Sequence, residues 1–279
     1  MTAKRVKGFL LYLTVVACAG MRLSVASPCL LRCKDEHMRN MRGVVGGASS
    51  EWSLDFLMPL QTILKTTLTK NMALNTVERA CMYNAIFEAC LNSCGESRAK
   101  EALSLGLNTW RFICESVKTG ELSYVLPCWQ DNILSIQGAC RSHLMEIQFV
   151  MRLLANTTQA KLQQVTFGHF CSAVRAYESC HLSAMSEHCG AEAVAYLERL
   201  NLVHNHTVYL ILRLISAAAA SSSSGVPRAC LDWSVDNSSS SLRGVFQEEW
   251  TLSSIGSLML NSTVLTLALS FVAFATALS

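Results

Sequence analysis

The chain has 279 residues, of which 51% are hydrophobic and only 15% charged, well below the quarter or so found in ordinary globular domains. Its formal net charge is +3, but Lys4, Arg5, Lys7 and Arg22 precede the expected mature start and no acidic residue does, so 19 basic residues face 20 acidic ones beyond it, a net charge near −1. A chain this close to neutral carries no electrostatic footprint for nucleic acid, and that class of partner is excluded.

Residues 1–26 read as a secretory signal peptide. Lys4, Arg5 and Lys7 form a positive head, and Phe9 to Ala19 (FLLYLTVVACA) is an apolar run of 11 residues, too short to span a bilayer as a helix. Small residues at Ala17 and Ala19 suit cleavage after Ala19, and Ser24 and Ala26 suit cleavage after Ala26. VVAC, ending at Cys18, also fits a bacterial lipobox; the glycosylation sequons and the apolar C-terminal segment favour the eukaryotic route.

Of the 13 cysteines, Cys18 falls in the leader. The other twelve, Cys29, Cys33, Cys81, Cys90, Cys94, Cys114, Cys128, Cys140, Cys171, Cys180, Cys189 and Cys230, form an even set. In an oxidising compartment such a set implies a disulfide framework of up to six bridges whose connectivity spacing alone leaves open.

Residues 27–214 read as one cysteine-rich, all-α domain. Asn75-Thr76-Val77-Glu78 has the spacing of a capping box, and Val77, Cys81, Ile86, Cys90 and Cys94 recur at helical steps before Gly95. The pattern continues over 100–118 and closes at Gly120. Pro127 suits the first position of a helix running to about Ala155, followed by helices over about 162–180 and 191–214. Cys29 and Cys33, like Cys90 and Cys94, are four apart, so each pair shares one helical face and bridges more naturally to other segments than internally. Cys171 and Cys180 are nine apart, on opposite faces, so their helix either meets partners on both sides or breaks before Cys189.

Sequons at Asn156, Asn205 and Asn237 fit a lumenal route, and a fourth, Asn261, lies in the apolar tail. Residues 215–256 read as a disordered serine-rich stalk, with SAAAASSSSG over 216–225 and a second serine run over 236–241. Cys230 stands between the two runs, so its partner is expected back in the body. Ser224-Gly225 is a possible glycosaminoglycan attachment at Ser224, although no acidic residues flank it. Residues 257–279 are apolar with no basic residue after them. Together with the small triplet Asn237-Ser238-Ser239, this suits a lipid-anchor signal with attachment at Asn237 or Ser238. A retained membrane-spanning helix and a released product are the alternatives.

No catalytic arrangement emerges: there is no nucleophile elbow, no HExxH and no phosphate-cradling glycine loop. Asp55, Glu78 and Glu88 read as solvated helix-face carboxylates. Cys180-His181 and His188-Cys189, near Cys171, hold zinc-type atoms at no usual zinc spacing, which predicts disulfides beside surface histidines. No metal or other cofactor is expected. Trp110, Phe112, Trp129, Phe149, Phe167 and Phe170 read as core, with a pocket between helices as the minority alternative.

The stretches CLLRC (29–33), CMYNAIFEACLNSC (81–94), FICESVKTGELSYVLPCWQ leading to GAC at Cys140, and FCSAVRAYESCHLSAMSEHCGAEAVAYLERL resemble the chondroitin proteoglycan 4-type domain of secreted nematode proteins. The resemblance covers most of residues 29–200 and implies a secreted or matrix protein without assigned enzymatic activity. The expected function is therefore that of a non-enzymatic extracellular or cell-surface glycoprotein whose partner is an unidentified protein or glycan, held to a membrane by its tail or a lipid. The alternative is a secreted carrier of a small apolar ligand.

Overall fold

A computed structural model describes residues 27–45, 59–67, 70–156, 160–218 and 225–234. The expected signal peptide, Asp55, Ser224, Asn237, Ser238, the rest of the expected stalk and the apolar segment 257–279 lie outside them. Among the described residues there is no strand. The elements are α1 (Pro28–Val45), α2 (Pro59–Thr66), α3 (Lys70–Asn92), α4 (Arg98–Gly106), α5 (Asn108–Lys118), α6 (Glu121–Ala139), α7 (Arg141–Asn156), α8 (Ala160–Ala218) and a 3-10 turn (Arg228–Trp233). None of these helices is long and apolar enough to cross a membrane.

Helix α1 starts where Pro28 follows Ser27, whose Oγ accepts the Leu30 backbone N–H at 3.3 Å. Leu30, Cys33, His37, Met41 and Val44, three or four apart, give it one buried face. In α3, Ala73, Val77, Ala80, Phe87 and Leu91 do the same. The predicted capping box at Asn75 does not form, because α3 already begins at Lys70 and Asn75 lies inside it. Thr76 Oγ1 instead donates to the Met72 carbonyl at 2.6 Å. Ala73 and Val77 are both fully buried, and that burial carries the helix upstream past the local cap.

Two predicted helices are divided. The span 100–118 breaks at the buried Leu107 into α4 and α5. The helix expected from Pro127 to about Ala155 instead starts at Glu121, after Gly120 (φ 82°), and ends at Ala139 with Cys140 as its cap, with Pro127 in its interior. A proline inside a helix costs about 3 kcal/mol. Leu122, Val125 and Leu126, all buried before it, each contribute about 1.5–3 kcal/mol, so burial wins.

Helix α8 is two limbs, 160–189 and 191–218, turning at Gly190 with φ 77° and ψ −177°. They run back alongside each other: Asn205 Nδ2 on the second limb donates to Glu178 Oε2 on the first at 2.8 Å. That backbone region is open essentially to glycine alone. No atom lies within 4 Å of where a Cβ would sit, so substitution meets backbone strain and no clash. Gly190→Ala is expected to lower unfolding free energy by about 1–3 kcal/mol, read as a lower urea midpoint at unchanged slope; an unchanged midpoint would contradict this.

Six disulfides pair every cysteine among the described residues: Cys29–Cys94, Cys33–Cys90, Cys81–Cys114, Cys128–Cys189, Cys140–Cys180 and Cys171–Cys230. The two four-apart pairs form a two-rung ladder between α1 and α3. Cys171 and Cys180 bridge in different directions from the opposite faces of one unbroken limb, and the break comes only after Cys189. The larger core draws on α1, α2, α3, α5, α6, α7, α8 and the 3-10 turn around Trp129, Ile136, Ile147 and Tyr196. A smaller one lies under the ladder, formed by Leu30, Cys33, Phe87, Leu91, Cys94 and Leu107.

Residues 225–234 fall within the span read as stalk, yet they pack on the first limb of α8. Gln164 Nε2 donates to the Gly225 carbonyl at 3.3 Å. Arg175 donates to the Ala229 carbonyl at 3.0 Å and pairs with Asp232. Cys230 and Trp233 are buried. The helical body therefore continues past residue 214, with α8 running through Ala218, and packed chain follows again over 225–234.

Candidate functional site

The chemistry-bearing side chains that the fold gathers lie inside the helical bundle. Gln61 on α2, Trp129 on α6, Tyr177, Glu178 and His181 on the first limb of α8, and Asn201 on the second line a cavity of about 30 Å³, room for about two waters. Tyr177 and His181 sit one helical turn apart, and Gln61 connects them: the Tyr177 hydroxyl donates to Gln61 Oε1 at 2.6 Å, and Gln61 Nε2 donates to His181 Nδ1 at 3.0 Å. A neutral imidazole that accepts at Nδ1 carries its proton on Nε2. That Nε2, Trp129 Nε1 and Asn201 Nδ2 are buried nitrogens without a protein acceptor.

Burial dominates the electrostatics. It raises the Glu178 carboxyl to about 7 against the opposing pull of the Asn205 hydrogen bond and Arg175. It lowers His181 and His204 to about 4 and pushes the Tyr177 hydroxyl up. The result is three N–H donors and one carboxyl around a space for two waters, an internal hydration site by the ordinary rule for buried polar groups. Perturbed titration in a cavity is also a mark of catalytic sites. Here the space is far below the several hundred Å³ that a substrate or drug-sized ligand fills. Among the described residues no hydroxyl or thiol pairs with His181, whose Nδ1 accepts from Gln61.

Gln61 is the joint of this network. Gln61→Leu strands the Tyr177 hydroxyl and His181 Nδ1 in the core, where a lost partner costs about 1–3 kcal/mol per group. The expected loss is about 2–4 kcal/mol in urea denaturation. A loss under about 0.5 kcal/mol, typical of an inconsequential surface change, would show the network to be dispensable.

The zinc-type set is consumed by disulfides: Cys180 pairs with Cys140, Cys189 with Cys128 and Cys171 with Cys230. Of its histidines, His188 is exposed but His181, expected at the surface, is 1% exposed, because it projects into the bundle beside Trp129 and Tyr177. The sulfurs of Cys29, Cys33 and Cys94 lie within 4.8 Å of one another, but they belong to the two adjacent ladder rungs and are not free thiolates. Glu78 is exposed; Glu88 pairs with Arg111 at 2.5 Å.

The sequons separate. Asn156 is exposed at the end of α7. Asn205, expected to carry a glycan, is 8% exposed, and Thr207 beside it is fully buried. What sets Asn205 apart is this burial: its nitrogen donates to Glu178 between the two limbs of α8, and a sugar there would have to push into the packed surface. Of the predicted core aromatics, Trp110, Trp129 and Phe170 are buried, and Phe112 and Phe167 pack against the core. Phe149 does not: it is 53% exposed, on the outer face of α7.

Gln61, Tyr177, Glu178 and Asn201 escaped the sequence reading. A usable signal was present in Tyr177-Glu178 followed by His181, polar groups at helical spacing between buried Val174 and Met185. No protein-family model, curated protein or solved structure matches the chain.

Proposed function

We propose that the chain is a non-enzymatic extracellular glycoprotein, displayed at the cell surface or in the matrix and acting through contacts with another protein or a glycan. The observation that carries this reading is the complete pairing of the twelve described cysteines into six bridges, three among α1, α3 and α5 and three among α6, α8 and the 3-10 turn. Such a framework belongs to oxidising compartments. The leader-like residues 1–26, the serine-rich spacer and the apolar segment 257–279 supply the rest of the proposal, as does the resemblance to chondroitin proteoglycan 4-type domains. Membrane attachment through a lipid at Asn237 or Ser238 is part of it. For the alternative reading, an apolar-ligand carrier, the cavity described above is water-sized although Leu60, Val174, Leu197 and Leu200 also line it.

The test is surface release from cells expressing the full chain, using a phosphatidylinositol-specific phospholipase. Release into the medium supports the lipid tether. Surface protein that resists the enzyme favours a retained helix, and protein found in the medium without enzyme removes the tether. Protein confined to the cytosol contradicts the whole reading.

A further inference from the structure

Helices α7 and the first limb of α8 form a hairpin whose outer side exposes five apolar side chains. Met145, Phe149 and Leu153 on α7 are 58%, 53% and 38% exposed, and Leu162 and Val165 on α8 are 48% and 67% exposed. The 2.8 Å contact between Glu146 and His169 fixes the antiparallel register, placing Leu162 across from Leu153 and Val165 one residue from the position across from Phe149. The five side chains therefore make one ridge. Contiguous apolar surface of this kind marks something that is normally covered.

Asn156 ends the same helix seven residues after Phe149, which puts both on one face about 10 Å apart along the axis. Its Nδ2 donates to the Arg152 carbonyl at 3.0 Å. The amide has a second hydrogen, so the bond survives when one hydrogen is replaced by a sugar. Asn205, the other sequon asparagine among the described residues, is buried.

We propose that an N-linked glycan on Asn156 folds back along α7 and covers this ridge. The inference rests on the reading that the chain passes through the secretory pathway. The transfer forms a bond between the sugar C1 and Asn156 Nδ2 and breaks the C1–oxygen bond to a lipid-linked pyrophosphate donor. The pyrophosphate leaves as an anion and the transferase base takes the Nδ2 proton. Two sugar rings laid end to end reach from Asn156 to Phe149. The C–H face of a pyranose packs on an aromatic ring while its hydroxyls stay in water, so the glycan screens apolar surface without a protein partner.

The experiment uses the full chain produced in secreting eukaryotic cells. Glycopeptide masses report occupancy, and binding of an apolar fluorescent dye reports the ridge. The comparison is between the glycosylated protein, the Thr158→Ala variant, which removes the sequon but keeps Asn156 and its bond to Arg152, and Thr158→Ala combined with Phe149→Ser and Val165→Ser. The expected result is occupancy at Asn156 and none at Asn205, a several-fold rise in dye binding in Thr158→Ala, and a return to the low level in the combined variant. A bare Asn156 beside glycans at other sequons overturns this inference alone, as does an occupied Asn156 whose loss leaves dye binding unchanged. A chain without glycan that stays in the cytosol overturns the secretory reading as well.

Discussion

Removing either rung of the α1–α3 ladder is expected to lower stability by about 2–3 kcal/mol, and removing both by about 5 kcal/mol or more. The rungs close loops of 65 and 57 residues, each restricting the unfolded chain strongly by itself. They are not independent, because their ends are four residues apart on both helices. With one rung in place, the other closes only a small ring of about ten residues, and its entropic contribution shrinks accordingly. Only the loss of both frees α1 from the unfolded-state tether and exposes the smaller core of Leu30, Phe87, Leu91 and Leu107 to solvent. The comparison is urea denaturation of Cys29→Ser/Cys94→Ser, Cys33→Ser/Cys90→Ser and the fourfold variant. The fourfold variant should also become protease-sensitive within α1 while the remaining four bridges hold the rest. If it proves no less stable than one double variant, α1 is held by burial and not by the ladder.

The second large effect is acid sensitivity. His37, His181 and His204 are buried and neutral, each lowered by burial from 6.5 to about 4. Below pH 6.5 the unfolded chain takes up protons that the folded one refuses. Their contribution is complete above pH 6.5 and is lost as the pH falls through 4, on the order of 1–3 kcal/mol for each histidine. Glu178 has the opposite sign. Burial raises it from 4.5 to about 7, so its unfavourable share is present above pH 7 and disappears toward 4.5, which softens the acid loss. Unfolding free energies between pH 4 and 8 should therefore decline toward acid. Glu178→Gln should be more stable at pH 8 and fall more steeply. A flat profile in the parent protein, or a Glu178→Gln variant that is weaker at pH 8, would contradict the assigned burial.

The fold class was readable because its signals were redundant. Helical spacing of apolar residues, four prolines in 279 residues and paired cysteines four apart all pointed to helices stapled to other helices. The ladder bridges agree with that spacing, since Cys29 and Cys33 face one way along α1 and bridge more naturally to another helix than to each other. Element boundaries were less readable. Asn75 looks like a cap and Pro127 like a helix start, yet both lie inside helices because burial of Ala73, Val77, Leu122, Val125 and Leu126 outweighs the local preference. The exposure of Phe149 and the burial of Asn205 were equally hidden. Both depend on how the hairpin and the two limbs of α8 rotate against their neighbours, and that rotation is set by contacts distant in sequence. The polar cavity joins Gln61 to His181, 120 residues apart, and no local pattern contains that pairing.

The most direct measurement of the extracellular assignment is the intact mass of protein recovered from the surface or medium of producing cells after alkylation under denaturing, non-reducing conditions. The expected product is a chain lacking its N-terminal leader, with none of the twelve remaining cysteines alkylated and the six pairings found by peptide mapping. A chain that keeps its leader, stays inside the cell and reacts at several cysteines would contradict it.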